Sequence, residues 1–142
     1  MEAKSYLGGR AIIKSLPATE HPAKRAEVCA RLRSSRGELA VLTDGSVAIR
    51  HLSYVELRPE MVRGNHYHKL RREFFYIVSG ELTVQLQDMT NKEAVTVKMR
   101  TGDMATIEPG IAHAMKPLDA GHAIEFAAEP FDAADVYPHP LL

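Results

Sequence analysis

Arg63-Gly64-Asn65-His66-Tyr67-His68-Lys69-Leu70-Arg71-Arg72-Glu73, running on through Phe74 to Gly80 and then Glu81-Leu82-Thr83-Val84-Gln85-Leu86-Gln87, is the stretch from which the fold of this chain can be read. In its last segment Leu82, Val84 and Leu86 alternate with Glu81, Thr83, Gln85 and Gln87, the period of a half-buried strand. Phe74 to Val78 is apolar and aromatic and stops at Ser79-Gly80, a second strand ended by a turn. In the first segment, residues i and i+2 of a strand share a face, so His66 and His68 project together. Glu73 opens the next strand, which a tight turn is expected to fold back beside the first, so that three side chains converge from one hairpin.

The texture is the same on either side. Leu39 to Leu42 and Val47 to Leu57 read as strands separated by Thr43-Asp44-Gly45-Ser46. Val95, Val97 and Met99 alternate, Ala105 to Ile107 is a short strand between turns, and residues 111–115 and 122–127 form a last pair. Many short strands with almost no helix between them predict an antiparallel sandwich or barrel. Residues 1–35 are less regular: Pro22 fits the first turn of a short helix reaching about Arg33, with Val28, Cys29 and Leu32 as its apolar face. The expected organisation is an N-terminal arm with that helix over residues 1–35, then a barrel and an extended, proline-bearing tail over residues 36–142.

Composition sets the remaining bounds. The 142 residues suit one domain, and 45% hydrophobic with 25% charged residues is ordinary for a globular protein. Eighteen basic residues balance eighteen acidic ones. A neutral chain lacks the bulk positive field of a general nucleic-acid binder, and no polybasic anchor or long apolar run points to a membrane. With Cys29 alone, no intramolecular disulfide forms, and Cys29 is expected to be a small buried hydrophobe. No signal sequence is evident, so the expected address is cytoplasmic. Exposed strand edges in so small a barrel predict a homodimer.

The chemistry gathers around His66, His68, Glu73 and His113. Three imidazoles and a carboxylate suit one divalent transition metal, with Zn, Mn, Fe or Ni all compatible. Four ligands either close a tetrahedral site or leave open positions on an octahedron, and only the second permits catalysis. The plainer alternative is that these histidines hydrogen-bond inside a core. Arg63, Lys69, Arg71 and Arg72 lie beside the motif and are candidates to grip a phosphate or carboxylate of a substrate, Arg63, Lys69 and Arg72 foremost; the plainer alternative is a solvated turn. Tyr76 alternates with Phe75 and should face away from the interior. Glu108 is either a partner that orients His113 or an exposed turn carboxylate. His51 is either a cavity acid–base group or a hydrogen-bonded core residue.

His66-x-His68-x4-Glu73-x6-Gly80, followed by Gly102-Asp103, Pro109 and His113, resembles the two signature motifs of the cupin superfamily. That resemblance implies a jelly-roll barrel in which the motif's His and Glu residues bind metal. A narrower resemblance, over about residues 36–138, is to nucleotide-sugar 3,4-ketoisomerases and to cupin domains of polysaccharide-biosynthesis proteins. It is carried by Arg36-Gly37-Glu38-Leu39, Arg63 to Lys69, Glu108 to His113 and Phe126 to Asp132. In the ketoisomerases the paired histidines act as acid and base without metal, and the position matching Glu73 is typically an amide. Three functions therefore stand: a metal-dependent isomerase or epimerase of a sugar or nucleotide-sugar, a metal-free ketoisomerase using His66 and His68, and a non-catalytic metal- or sugar-binding module.

Overall fold

Strands with a period of two bury one face each, and two such faces pressed together make a core. The computed structural model describes residues 2–20 and 28–142, and it is built almost wholly in this way. One sheet takes β1 (Glu2–Tyr6), β2 (Ala11–Ser15), β6 (His51–Leu57), β8 (Glu73–Ser79), β11 (Asp103–Ile107) and β13 (Gly121–Ala127). Its order is β1-β2-β11-β8-β13-β6. The second takes β7 (Arg63–Tyr67), β9 (Glu81–Asp88), β10 (Ala94–Arg100), β12 (Ile111–Pro117) and β14 (Tyr137–Pro138) in the order β10-β9-β12-β7-β14. A small third sheet, β3 (Ala18–Glu20), β4 (Ala30–Ser34) and β5 (Gly37–Val41), lies apart from both ladders.

The core fills the space between the two large sheets. Ile13, Leu57, Phe75, Ile77 and Ala123 come from one side, and Leu82, Val84, Leu86, Met99, Ile111 and Met115 from the other. Ile77 and Met99 are wholly buried, each worth about 1.5–3 kcal/mol relative to exposure. The opposite face of β8 and β13 carries Tyr76, Phe126 and Phe74, the last two ring-stacked at 4.8 Å. Cys29, Ala40 and Leu42 cover it, so Tyr76 faces away from the interior as its phase requires, and Cys29 is half-buried.

Three expectations are corrected. The sheets are not closed into a barrel: among the described residues no strand of one large sheet pairs in a ladder with a strand of the other. The helix expected over residues 22–33 is not seen where the chain is described. Residues 22–27 lie outside the described residues, and from Ala30 the chain is strand, with Leu32 opposite Leu39 in a hairpin with β5. The side chains explain the preference, because Arg31 donates from Nε and Nη2 to both oxygens of Glu38 across the hairpin. Third, the strand expected from Val47 begins only at His51. The N-terminal residues also do more than form an arm, since β2 pairs along its whole length with β11.

The tail is strapped to the second sheet. β14 pairs with β7, and Asn65 Oδ1 accepts the backbone N–H groups of Leu141 and Leu142. No helix among the described residues is long and apolar enough to cross a membrane.

Candidate metal centre

The two histidines of the motif are aimed by a backbone irregularity. β7 pairs with β12 through His66 opposite His113, and the register then shifts, leaving Gly64 opposite Ala114. Two left-handed residues make this bulge, Gly64 at φ +89° and Asn65 at φ +58°. A Cβ on Gly64 would lie 2.6 Å from the His113 carbonyl oxygen, so the close approach of the strands requires glycine there. His68 follows the last residue of β7 and is fixed at both ends: its carbonyl accepts from Gly110 N–H, and its ring reaches the tail.

The assembly differs from the expected hairpin. β7 and β8 belong to opposite sheets, so the segment between His68 and Glu73 is a crossover and Glu73 comes from the facing wall. His113 stands on β12, the strand beside β7. The four side chains still meet, with donor atoms all within 4.8 Å of one another. His68, Glu73 and His113 are buried, and His66 is half-buried on the cavity side.

The hydrogen bonds fix which nitrogens face the centre. His68 Nδ1 lies 2.7 Å from the Asp135 carbonyl oxygen, and His113 Nδ1 lies 3.1 Å from that of Ile111. A carbonyl only accepts, so each Nδ1 carries the proton and in the neutral ring each Nε2 presents a lone pair. Those lone pairs point at an anion: His68 Nε2 is 2.8 Å from Glu73 Oε1, and His113 Nε2 is 3.2 Å from Oε2. The first contact lies outside hydrogen-bond geometry, which leaves His68 Nε2 a buried nitrogen without a partner. Lone pairs facing a carboxylate repel unless a cation lies among them, either protons on the rings or a metal ion. The donor set therefore fits a divalent metal, with the second nitrogens anchored as metal-binding imidazoles require.

The electrostatics agree. Burial alone would raise Glu73, but the neighbouring His113 and the contacts from both imidazoles override it and hold the carboxyl well below the usual range. Burial pulls His113 down, yet Glu73 more than offsets this and raises it. His66 is lowered to about 4, first by burial and then by His113, so its ring is neutral at neutral pH.

The other predicted residues are scattered. Arg63 lines a cavity of about 140 Å³ with Val55, His66, Glu73, His113 and Glu125. Lys69 lies outside it, its Nζ 4.3 Å above the Tyr137 ring. Arg72 is exposed and pairs with Glu108 at 2.7 Å, so Glu108 does not orient His113. His51 is half-buried, with Nε2 3.3 Å from Ser53 Oγ. Ser53 in turn donates to Glu125. Arg71, the fourth of the basic cluster, and Glu125, which the sequence did not single out, also belong here. Arg71 is buried against Glu73, and Glu125 faces the cavity from β13. Arg71 stands two residues before Glu73, and Glu125 shares its face of β13 with the buried Ala123 and Ala127.

The cupin domain family matches residues 53–125. No curated protein matches the chain. Among solved structures, a TDP-quinovose 3,4-ketoisomerase from Campylobacter jejuni superposes with a TM-score of 0.72 at 21% identity, covering 91% of this chain and 92% of that one. A 3,4-ketoisomerase from Thermoanaerobacterium thermosaccharolyticum, in complex with TDP-4-keto-6-deoxyglucose, gives 0.71 at 14% identity over 89% and 86%. The rmlC epimerase of Mycobacterium tuberculosis gives 0.76 at 15% identity over 97% of this chain and 72% of that one. At these identities the likeness is one of fold.

Proposed function

This chain belongs to the cupin domain family, and on that premise we propose that it is a metal-dependent isomerase or epimerase of a sugar or nucleotide-linked sugar. The observation that carries the reading is the pair of imidazole Nε2 atoms turned on the Glu73 carboxylate with their Nδ1 protons committed elsewhere. His66, His68, Glu73 and His113 would hold the ion, which would supply Lewis-acid polarisation of a sugar carbonyl. The chain's own residues do the rest. Val55, Phe75 and Met115 line the cavity and keep its wall apolar, while Arg63 stands at its edge to meet an anionic group. Glu125, joined through Ser53 to His51 on the same wall, is the group placed to hold or release the proton that moves between carbons.

A metal-free ketoisomerase, with His66 and His68 as base and acid, is the second reading, and the fold likeness to 3,4-ketoisomerases favours it. One experiment separates them: TDP-4-keto-6-deoxyglucose in deuterium oxide with chelated protein, with and without added Zn, Mn, Fe or Ni. Deuterium entering beside the keto group only with metal supports the proposal. Exchange without metal moves the assignment to the histidine pair. No exchange under either condition leaves a binding module and overturns the enzymatic reading.

A further inference from the structure

The chain returns to the centre near its far end. β14 lies antiparallel on β7 with Tyr137 opposite Tyr67 and Pro138 opposite His66, and that register, carried further along, sets Asp135 opposite Lys69. A short turn over Ala133–Asp135 makes the approach. The Asp132 carboxylate accepts Ala134 N–H, and the Asp132 carbonyl accepts that of Asp135. Residues 131–134 are exposed, whereas Asp135 is only 6% exposed.

Burying a carboxylate is costly unless hydrogen bonds compensate it. Here they come from consecutive backbone groups: Asp135 Oδ1 accepts Lys69 N–H at 2.8 Å, and both oxygens accept Leu70 N–H, at 3.2 and 3.3 Å. The main-chain carbonyl of the same residue accepts the His68 Nδ1 proton at 2.7 Å. One residue of the tail thus grips His68, Lys69 and Leu70, and the first of these is a donor of the candidate centre. The carboxylate is the stronger acceptor and anchors the turn. The carbonyl, held in place by it, fixes which His68 nitrogen carries the proton and which one turns to Glu73. His113 finds its acceptor at Ile111 on its own strand, so of these two rings only His68 depends on a distant segment.

We propose that Asp135 is a positioning residue of the metal centre, its carboxylate clamping Lys69 and Leu70 so that its carbonyl holds the His68 ring with Nε2 toward the ion. The inference rests on the metal reading above and deepens it by making the tail part of the site.

The test uses the full chain, stripped of metal, as wild type, Asp135→Ala, Asp135→Asn and His139→Ala. Competition with a chelating indicator gives zinc affinity, and nitrogen NMR of the metal-free samples reads the imidazole protons. Asp135→Ala should weaken zinc at least tenfold, about the least expected for losing a group that orients a ligand. It should also lose the slowly exchanging His68 Nδ1 proton while that of His113 stays, a change that a merely structural contact would not produce. Asp135→Asn keeps Oδ1, which reaches both amides, and should recover most of the affinity. His139→Ala frees the tail from Gln87 and should change neither readout. Wild-type zinc affinity or an unchanged His68 proton in Asp135→Ala, no recovery in Asp135→Asn, or an equal loss in His139→Ala overturns the proposal. If Asp135→Ala fails to fold, amide exchange in the wild type serves, because coupling between clamp and ion is reciprocal. Zinc should then slow Lys69 and Leu70 at least tenfold more than His139, and equal slowing overturns the proposal. A wild type without zinc affinity refutes the metal reading instead, and the His68 proton still decides whether Asp135 sets that ring.

Discussion

Replacing Gly64 with alanine should unsettle the centre without touching any donor atom. At φ +89° an L-residue costs about 1–2 kcal/mol. The new methyl would also meet the His113 carbonyl oxygen at 2.6 Å and the Ala114 Cα at 3.4 Å. Both are backbone atoms of the paired strand, so no rotamer change relieves the clash and β7 and β12 must part. That adds about 1–3 kcal/mol, as overpacking does in a core. A central figure of about 3 kcal/mol lowers the melting temperature by about 6–12 °C in a domain of this size. Gly8→Ala is the internal control: its φ is +66° with nothing within 4 Å of an added Cβ, so it should lose only about 1 kcal/mol, or about 2–4 °C. Thermal unfolding of the chelated variants by circular dichroism gives both numbers, and a zinc titration then shows whether His66 and His113 still converge. If Gly64→Ala melts with Gly8→Ala and binds zinc like the wild type, the bulge is not what aims the two histidines.

His68→Ala should abolish the rise in melting temperature that zinc gives the wild type, which at a hundredfold excess over Kd corresponds to about 2.7 kcal/mol; undiminished metal content in this variant would remove His68 from the donor set. In the metal-free protein, His66 has a folded pKa of about 4 against 6.5 unfolded, so its contribution is present above 6.5 and lost as pH falls toward 4. Glu73, held low, continues the loss below about 4.5, whereas His113, held high, contributes below 6.5 and loses that contribution as pH rises through its folded value. Urea midpoints across pH 4–8 should therefore fall on the acid side, and less so in His66→Gln; a flat wild-type profile contradicts the charges assigned to the cluster. The expected homodimer has an open edge available at β6, where Leu52 and Tyr54 are exposed, and light scattering should show twice the chain mass, with monomer in Leu52→Lys. A monomeric wild type would contradict it.

The strands most legible in the sequence are those with one face in water. β9 alternates half-buried and buried residues along its whole length, and β10 repeats the pattern, so period two shows plainly in both. β1 is exposed along nearly its whole length and β4 is held by a cross-strand ion pair, so neither leaves an apolar period, and residues 28–33 could be mistaken for the end of a helix. The four donors of the candidate centre were legible because His-x-His and the later His are fixed by spacing. The walls they stand on were not, because nothing in Lys69 to Arg72 tells a hairpin turn from a crossover. Of the basic cluster, Arg63 alone lines the His66 cavity, while Arg71 is drawn inward by its phase with Glu73 and Arg72 outward to Glu108. Glu125 shares a face with two small residues, Ala123 and Ala127, whose burial is evident only once β13 is seen between β8 and β6.

The proposed function requires that His66, His68, Glu73 and His113 hold a metal ion. Elemental analysis of protein purified without an affinity tag for metal and without chelator tests it most directly, with Glu73→Gln measured alongside. About one equivalent of a transition metal per chain in the wild type, lost in Glu73→Gln, is the expected result. A folded wild type that carries no metal and takes up none on titration would contradict it, and would leave His66 and His68 as an acid–base pair.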